Sequence, residues 1–187
     1  KTLFPYTTLF RSEVMGFDVS MGIGKWVKKP EELIQSHDMA AQTLQYRYLL
    51  GGNILIDMEE QHPVQEIAIE DDLAELKEAM KTGQKEQVYQ ILIKIEDSIR
   101  QALMEKSRAC MYLQQVIRTM DNACEDVSAD MDRIREDRDE LLRQITDQKF
   151  FEDACKVVQK HTDRIFEILS ELNTSSSERQ ARLAIDY

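Results

Sequence analysis

The sequence predicts a mainly α protein in which a small strand–helix–strand (α+β) unit precedes a multi-helix region. Three observations predict it. Over Phe17–Gly24 apolar residues alternate with polar or small ones, the period of a half-buried strand. From Gln65 to Leu172 apolar residues recur three and four apart, the period of helices that bury one face. The breakers Gly51–Gly52, Pro63 and Gly83 fall between the periodic segments, where turns and helix ends belong.

Composition sets outer bounds. The 187 residues suffice for one domain or two small ones. Charged residues make up 32% and hydrophobic residues 42%, so the chain can bury a core under a charged surface. The formal net charge is -11 and the pI about 4.8. Such a surface repels phosphate backbones, which argues against nucleic-acid binding by this segment itself. No apolar run approaches the roughly 20 residues of a membrane helix. Cys110, Cys124 and Cys155 form no C-x-x-C pair and are odd in number, a pattern that predicts free, mostly buried thiols in a reducing cytoplasm. His37, His62 and His161 are scattered, and Cys155 and His161 stand six apart, on nearly opposite sides of a helix. No metal site is expected from these spacings.

Taken in order, residues 2–12 (Thr-Leu-Phe-Pro-Tyr-Thr-Thr-Leu-Phe-Arg-Ser) read as the in-frame translation of a sequencing-library adapter. Residues 1–12 are therefore set aside from fold reasoning, and the parent protein is expected to be longer than this chain. A strand is expected from Phe17 to Ile23, with Phe17, Val19, Met21 and Ile23 on one face. Gly22 and Gly24 permit a close backbone approach or a turn. Trp26 follows in a loop. Pro30 suits a first helical position, with Glu31 and Glu32 in the first turn. Leu33, Ile34, His37, Ala40, Ala41, Leu44 and Tyr48 follow at helical spacing. Gly51-Gly52-Asn53 stops that helix, and Ile54-Leu55-Ile56 reads as a second strand.

Beyond Pro63 the chain is expected to be helical. A helix from about Gln65 to Lys81 carries Ile69, Leu73, Leu76 and Met80 and ends at Gly83. The next, about Lys85 to Lys106, carries Val88, Ile91, Leu92, Ile95, Ile99, Ala102 and Leu103. A third, about Arg108 to Asp121, carries Met111, Tyr112, Gln115, Val116 and Met120. Asn122–Asp139, rich in acids and arginines, reads as a loop and a shorter helix, with i,i+4 pairs such as Asp139 with Arg143. A long helix from about Phe150 to Leu172 points Phe151, Ala154, Cys155, Val158, Ile165, Phe166 and Leu169 inward. Residues 173–177 (Asn-Thr-Ser-Ser-Ser) read as a polar linker, and Arg179–Tyr187 as the start of another helix.

Three strings carry a family resemblance: Val19-Ser20-Met21-Gly22-Ile23-Gly24, Pro30-Glu31-Glu32-Leu33-Ile34, and Tyr46-Arg47-Tyr48-Leu49-Leu50-Gly51-Gly52-Asn53. Together they resemble the central region of AraC-type transcriptional regulators, especially two-component response regulators. There a degenerate GGDEF-like domain ends in such a strand, helix, turn and strand, followed by a helical segment and two helix-turn-helix motifs. Gly83-Gln84-Lys85-Glu86 is similar to a step in the family's helical insert, and residues 182–187 resemble the opening of its DNA-binding domain. The resemblance implies a truncated GGDEF-like unit at 13–62, a helical regulatory or linker region at 63–172, and at 173–187 a linker leading into a truncated helix-turn-helix domain.

The resemblance also implies a function: relay of a signal to a helix-turn-helix domain outside this chain. It implies self-association as a dimer in the parent, DNA contact through the missing domain, and an upstream sensor kinase if a receiver domain is present. The family's catalytic hairpin would lie upstream. Gly51-Gly52-Asn53 follows a helix and is not that hairpin, so no cyclase residue is carried over. The expectation is a non-enzymatic cytoplasmic segment with no catalytic, cofactor-binding, metal-binding or DNA-binding residues and no membrane contact. Two alternatives stand beside it. One is a stand-alone helical protein-interaction module, which periodicity alone supports. The other is a piece of a nucleotide-cyclase-fold enzyme, against which the absence of a phosphate-binding glycine loop weighs.

Overall fold

The computed structural model describes residues 19–57, 66–125 and 138–185, with side chains up to residue 171. The fold is mostly helical, with one two-stranded parallel sheet. Strand β1 (Met21–Ile23) leads through a 3-10 turn at Pro30–Glu32 into α1 (Leu33–Thr43). A second 3-10 turn, Leu44–Tyr46, continues into the short α2 (Arg47–Leu50), and β2 (Leu55–Asp57) closes the unit. Then come α3 (Glu70–Lys81), α4 (Lys85–Ala102), α5 (Lys106–Glu125), α6 (Arg138–Asp147) and α7 (Phe151–Ile185).

The strand–helix–strand unit is as expected, but its buried face is the opposite one. β1 pairs with β2 in register Met21 to Leu55, Gly22 to Ile56 and Ile23 to Asp57. Gly22 faces α1, where a Cβ would lie 2.3 Å from the Ala40 carbonyl oxygen, and one on Gly24 would lie 2.0 Å from that of Ser36. The helix thus rests directly on the strand backbone, and Ile56, beside Gly22, is buried. Met21 is only half-buried and Ile23 is exposed. The expected apolar strand face is therefore the outer one, and its first member, Phe17, lies outside the described residues. The helix is rotated accordingly. Leu33, Ile34, His37 and Ala41 are exposed, while Thr43, Tyr48 and Leu49 are buried. Gly51 ends α2 at φ +93°, a conformation that L side chains resist.

The helices pack round one continuous core. α3 packs on both α4 and α5, and α7 packs on α5, α6 and α4. Every apolar residue expected on the stripes of α3 and α4 is buried. On α7, Phe151, Ala154, Cys155, Val158 and Ile165 are buried, with Phe166 and Leu169 packed at the edge. Met111 on α5 departs from its stripe and is 52% exposed.

Boundaries shift for local reasons. Pro63 and residues 58–65 lie outside the described residues, and α3 begins at Glu70 rather than near Gln65. Tyr112 of α5 holds the approach to α3: its hydroxyl accepts from the Ile67 N–H at 3.2 Å and lies 3.3 Å from the Ile67 carbonyl. α4 stops at Ala102 because Leu103 takes a left-handed turn at φ +48°. That residue is not glycine, and burial of its side chain in the core compensates the strain. α5 runs four residues past the expected end, to Glu125, and α6 begins at Arg138. Arg143 pairs with Glu140 rather than Asp139. The largest correction concerns residues 173–177, expected as a linker, where α7 continues unbroken to Ile185. Asn, Thr and Ser are mediocre helix formers but cost only tenths of a kcal/mol each, up to about 0.7, and neither Gly nor Pro interrupts the run.

Candidate functional site

The strand–helix–strand unit joins the bundle through Tyr48. Its ring meets the Phe151 ring, the first residue of α7, edge to face, with centroids 6.1 Å apart at 72°, a favoured geometry for aromatic pairs. Arg100, in the last turn of α4, lies over the Phe151 ring at 5.1 Å, and Lys106, first residue of α5, lies 5.3 Å from the centre of the Tyr48 ring. Lys106 Nζ also donates to the Gln148 carbonyl at 2.7 Å, which ties the α6–α7 turn to the same point. The Tyr48 hydroxyl sits 3.5 Å from Cys110 Sγ, and Cys110 Sγ lies 3.9 Å from the Ile145 carbonyl of α6. Gly52 fits closely against Phe150, since a Cβ there would lie 3.1 Å from its ring. Two of the bundle's helices, α5 and α7, therefore meet the Tyr48 side chain directly, and α4 and α6 reach the same point through Phe151 and Cys110.

Burial disfavours ionisation of the phenol and thiols at and near this junction. Burial, reinforced by Cys110, pushes the Tyr48 phenol far above its ordinary range. Burial likewise pushes up the Cys155 thiol, with nearby Glu96 adding to it. The Cys124 thiol rises to about 12, from burial first and then Asp121. All three cysteines are free and buried, as their spacing predicted. Burial makes all three poor nucleophiles, and at Cys124 and Cys155 the raised thiol pKa adds to it.

A second polar cluster lies deeper. Asp121 of α5, 1% exposed, places Oδ1 3.1 Å from His161 Nε2 of α7 and Oδ2 3.4 Å from Arg138 Nε of α6. Its carboxylate joins three helices. Cys155 and His161, unsuited to a shared ligand by spacing, indeed diverge: Cys155 meets Glu96 and His161 meets Asp121. Among the described residues no group of three or more His, Cys, Asp or Glu side chains could hold a metal ion. Among the described residues no helix is long and apolar enough to cross a membrane.

No site residues were expected from the sequence, and it carries weak signals for both clusters. Asp121 falls four after buried Ile117 and His161 three after buried Val158, so each is a polar residue on a core stripe. Tyr48 closes the apolar spacing of the first helix. What no spacing reveals is that residues 40 and 62 positions apart meet. No protein-family model matches the chain, and no curated protein or solved structure shows significant similarity to it.

Proposed function

We propose that this chain is the regulatory and linker part of an AraC-type transcriptional regulator of the response-regulator kind, passing a signal from its N-terminal side to a DNA-binding domain beyond α7. The observation that carries this reading is the course of α7. It starts at Phe151, against Tyr48 of the first unit, and runs as a single helix of 35 residues. The last core residue it supplies among the described side chains is Ile168. About 25 Å of helix follows, at 1.5 Å per residue.

A continuous helix transmits rotation and translation because its backbone hydrogen bonds resist bending. A shift of the first unit would be passed through Tyr48 to the start of α7 and delivered at its far end. The glycines of Val19–Gly24 support the resemblance physically, since the strand–helix contact tolerates no larger residue at Gly22. In this reading the parent acts in the cytoplasm as a dimer on paired half-sites, and the segment performs no catalysis.

A protein-interaction module is the second reading. It is favoured by Trp26, 93% exposed, with Leu33 and Ile34 exposed on the adjoining helix. Reading the genomic locus on both sides of this frame separates the two. A receiver or sensor upstream and two helix-turn-helix motifs after Tyr187 support the regulator. A stop directly after Tyr187, with translation starting at Met15, overturns it and leaves the interaction module.

A further inference from the structure

Four large apolar side chains close together in the sequence, Ile23, Trp26, Leu33 and Ile34, are exposed. Trp26, the only tryptophan in the sequence, is 93% exposed. The loop that carries it is pinned to α1. Ser36 Oγ donates to the Lys25 carbonyl at 2.7 Å, and the Glu32 N–H donates to the Lys29 carbonyl at 3.1 Å. The Lys28 N–H lies 3.4 Å from Glu32 Oε2. Leu33 stands one helical turn before Ser36, so the loop and the exposed apolar residues of α1 are neighbours. A loop already held in place loses little further entropy on binding.

The rim of this face carries both signs of charge. Lys25, Lys28, Lys29 and Glu31 are exposed, and none of these four side chains is in an ion pair among the described residues. An anionic surface would meet Glu31 as well as the lysines, and a chain of net charge -11 is repelled from it. A second copy of the same face meets no such conflict. A two-fold axis sets a patch against itself, so lysines of one copy oppose Glu31 of the other while the apolar centres close on each other. An apolar centre inside a polar rim is the usual anatomy of interfaces, and Trp is enriched among their anchors.

We infer that this face is a two-fold interface between copies of this chain. Trp26 lies at its centre with Leu33 and Ile34, and Lys28 and Lys29 of each copy oppose Glu31 of the other. So short a stretch is small beside the roughly 800 Å² per partner of a stable complex, so the dimer is weak by itself. The inference deepens the dimer of the proposed regulator and rests on that reading for its purpose alone. The contact is tested on this chain, so its failure leaves the relay standing, and a stop after Tyr187 leaves the interface standing.

Sedimentation equilibrium of the whole chain over a dilution series should give a monomer–dimer equilibrium with a Kd on the order of 10 µM. Trp26 reports its own burial: its fluorescence should shift to the blue, and its quenching by acrylamide fall, as concentration rises. Trp26→Ser, on an exposed loop, should keep the circular dichroism of the unaltered chain and weaken dimerisation about thirtyfold. Lys28→Glu/Lys29→Glu and Glu31→Lys should each dimerise more weakly, because like charges then oppose one another. Glu31→Lys lowers the net negative charge of each copy, so general repulsion would tighten its dimer and only the paired rim weakens it. An equimolar mixture of the two variants should recover a heterodimer as strong as the unaltered dimer. A chain still monomeric at roughly a hundred times the expected Kd, or a dimer indifferent to Trp26→Ser, overturns the interface. A mixture that recovers nothing overturns the two-fold pairing. Binding of the monomeric chain to phosphatidylglycerol vesicles in place of dimerisation overturns it in favour of a lipid surface.

Discussion

Tyr48 and Phe151 meet edge to face at 6.1 Å, and through that contact the first unit touches the residue from which the longest helix starts. Truncation of Tyr48 should therefore cost more than the loss of an ordinary surface aromatic. Tyr48→Ala is expected to destabilise the protein by about 3 kcal/mol or more, the usual cost of deleting a buried aromatic. Tyr48→Phe keeps the ring and loses only the hydroxyl–thiol contact, so it should cost about 1 kcal/mol or less. Urea unfolding of both variants checks the ordering. Equal losses would show that the hydroxyl, not the ring, holds the joint.

Gly22 makes a second prediction. A methyl group there would overlap the Ala40 carbonyl oxygen at 2.3 Å, and the strand or the helix would have to move. Gly22→Ala should destabilise the strand–helix–strand unit by about 1–3 kcal/mol, the range for overpacking. The bundle core, which draws only Tyr48 and Leu49 from that unit, should hold. Limited proteolysis should cut the variant between residues 24 and 57 sooner than the parent chain, with 66–125 protected as before. Simultaneous loss of both regions would mean that they unfold as one.

These contacts separate what was legible in the sequence from what was not. The stripes of α3 and α4 were legible residue by residue, because a helix with one buried face writes a strong 3.6-residue period. The β1 face was misleading. Alternation shows that two faces differ but not which one is covered, and here backbone packing against Gly22 and Gly24 outweighed the apolar side. The length of α7 was masked by a Ser- and Asn-rich run whose low propensity a long helix tolerates. The Asp121–His161 pair was illegible because its partners lie 40 residues apart, and local spacing carries no information about such a meeting.

That pair should be costly to break from one side. Asp121 is almost wholly buried and holds groups from two other helices. Asp121→Ala leaves the imidazole and the guanidinium without their acceptor, and a loss of about 3 kcal/mol is expected. Asp121→Asn retains a hydrogen-bonding oxygen and should lose less. Denaturant midpoints of the two variants decide it, and a smaller loss for Ala would remove the cluster from the account of stability.

The buried acids predict alkaline lability. Burial raises the Cys124 thiol to about 12 from an ordinary 9.0, and raises Cys155 as well. The unfolded chain then releases these protons near pH 9 while the folded chain keeps them. Between those values the unfolded state binds fewer protons, so unfolding free energy falls as pH rises. The Tyr48 phenol adds to the effect above its ordinary 10.0. Urea midpoints should show no contribution from these groups below about pH 8 and decline steeply from about pH 9 upward. A midpoint that stays level to pH 11 would mean that these groups reach solvent in the folded state.

The last prediction concerns the far part of α7. Ser177→Pro removes one backbone donor and clashes with the carbonyl four residues earlier, at a local cost of about 3 kcal/mol or more. Because the core residues described on α7 end at Ile168, the melting temperature of the bundle should move by no more than about 2 °C, the response to a small change in core free energy. Helical circular dichroism should fall as the last turns fray. In the parent regulator proposed above, the same variant should fold and yet lose the dependence of DNA binding on its input signal, since under that proposal a kinked helix no longer carries a rotation from Phe151 to its far end. A variant that kinks the helix and still responds would show that the signal travels by another route.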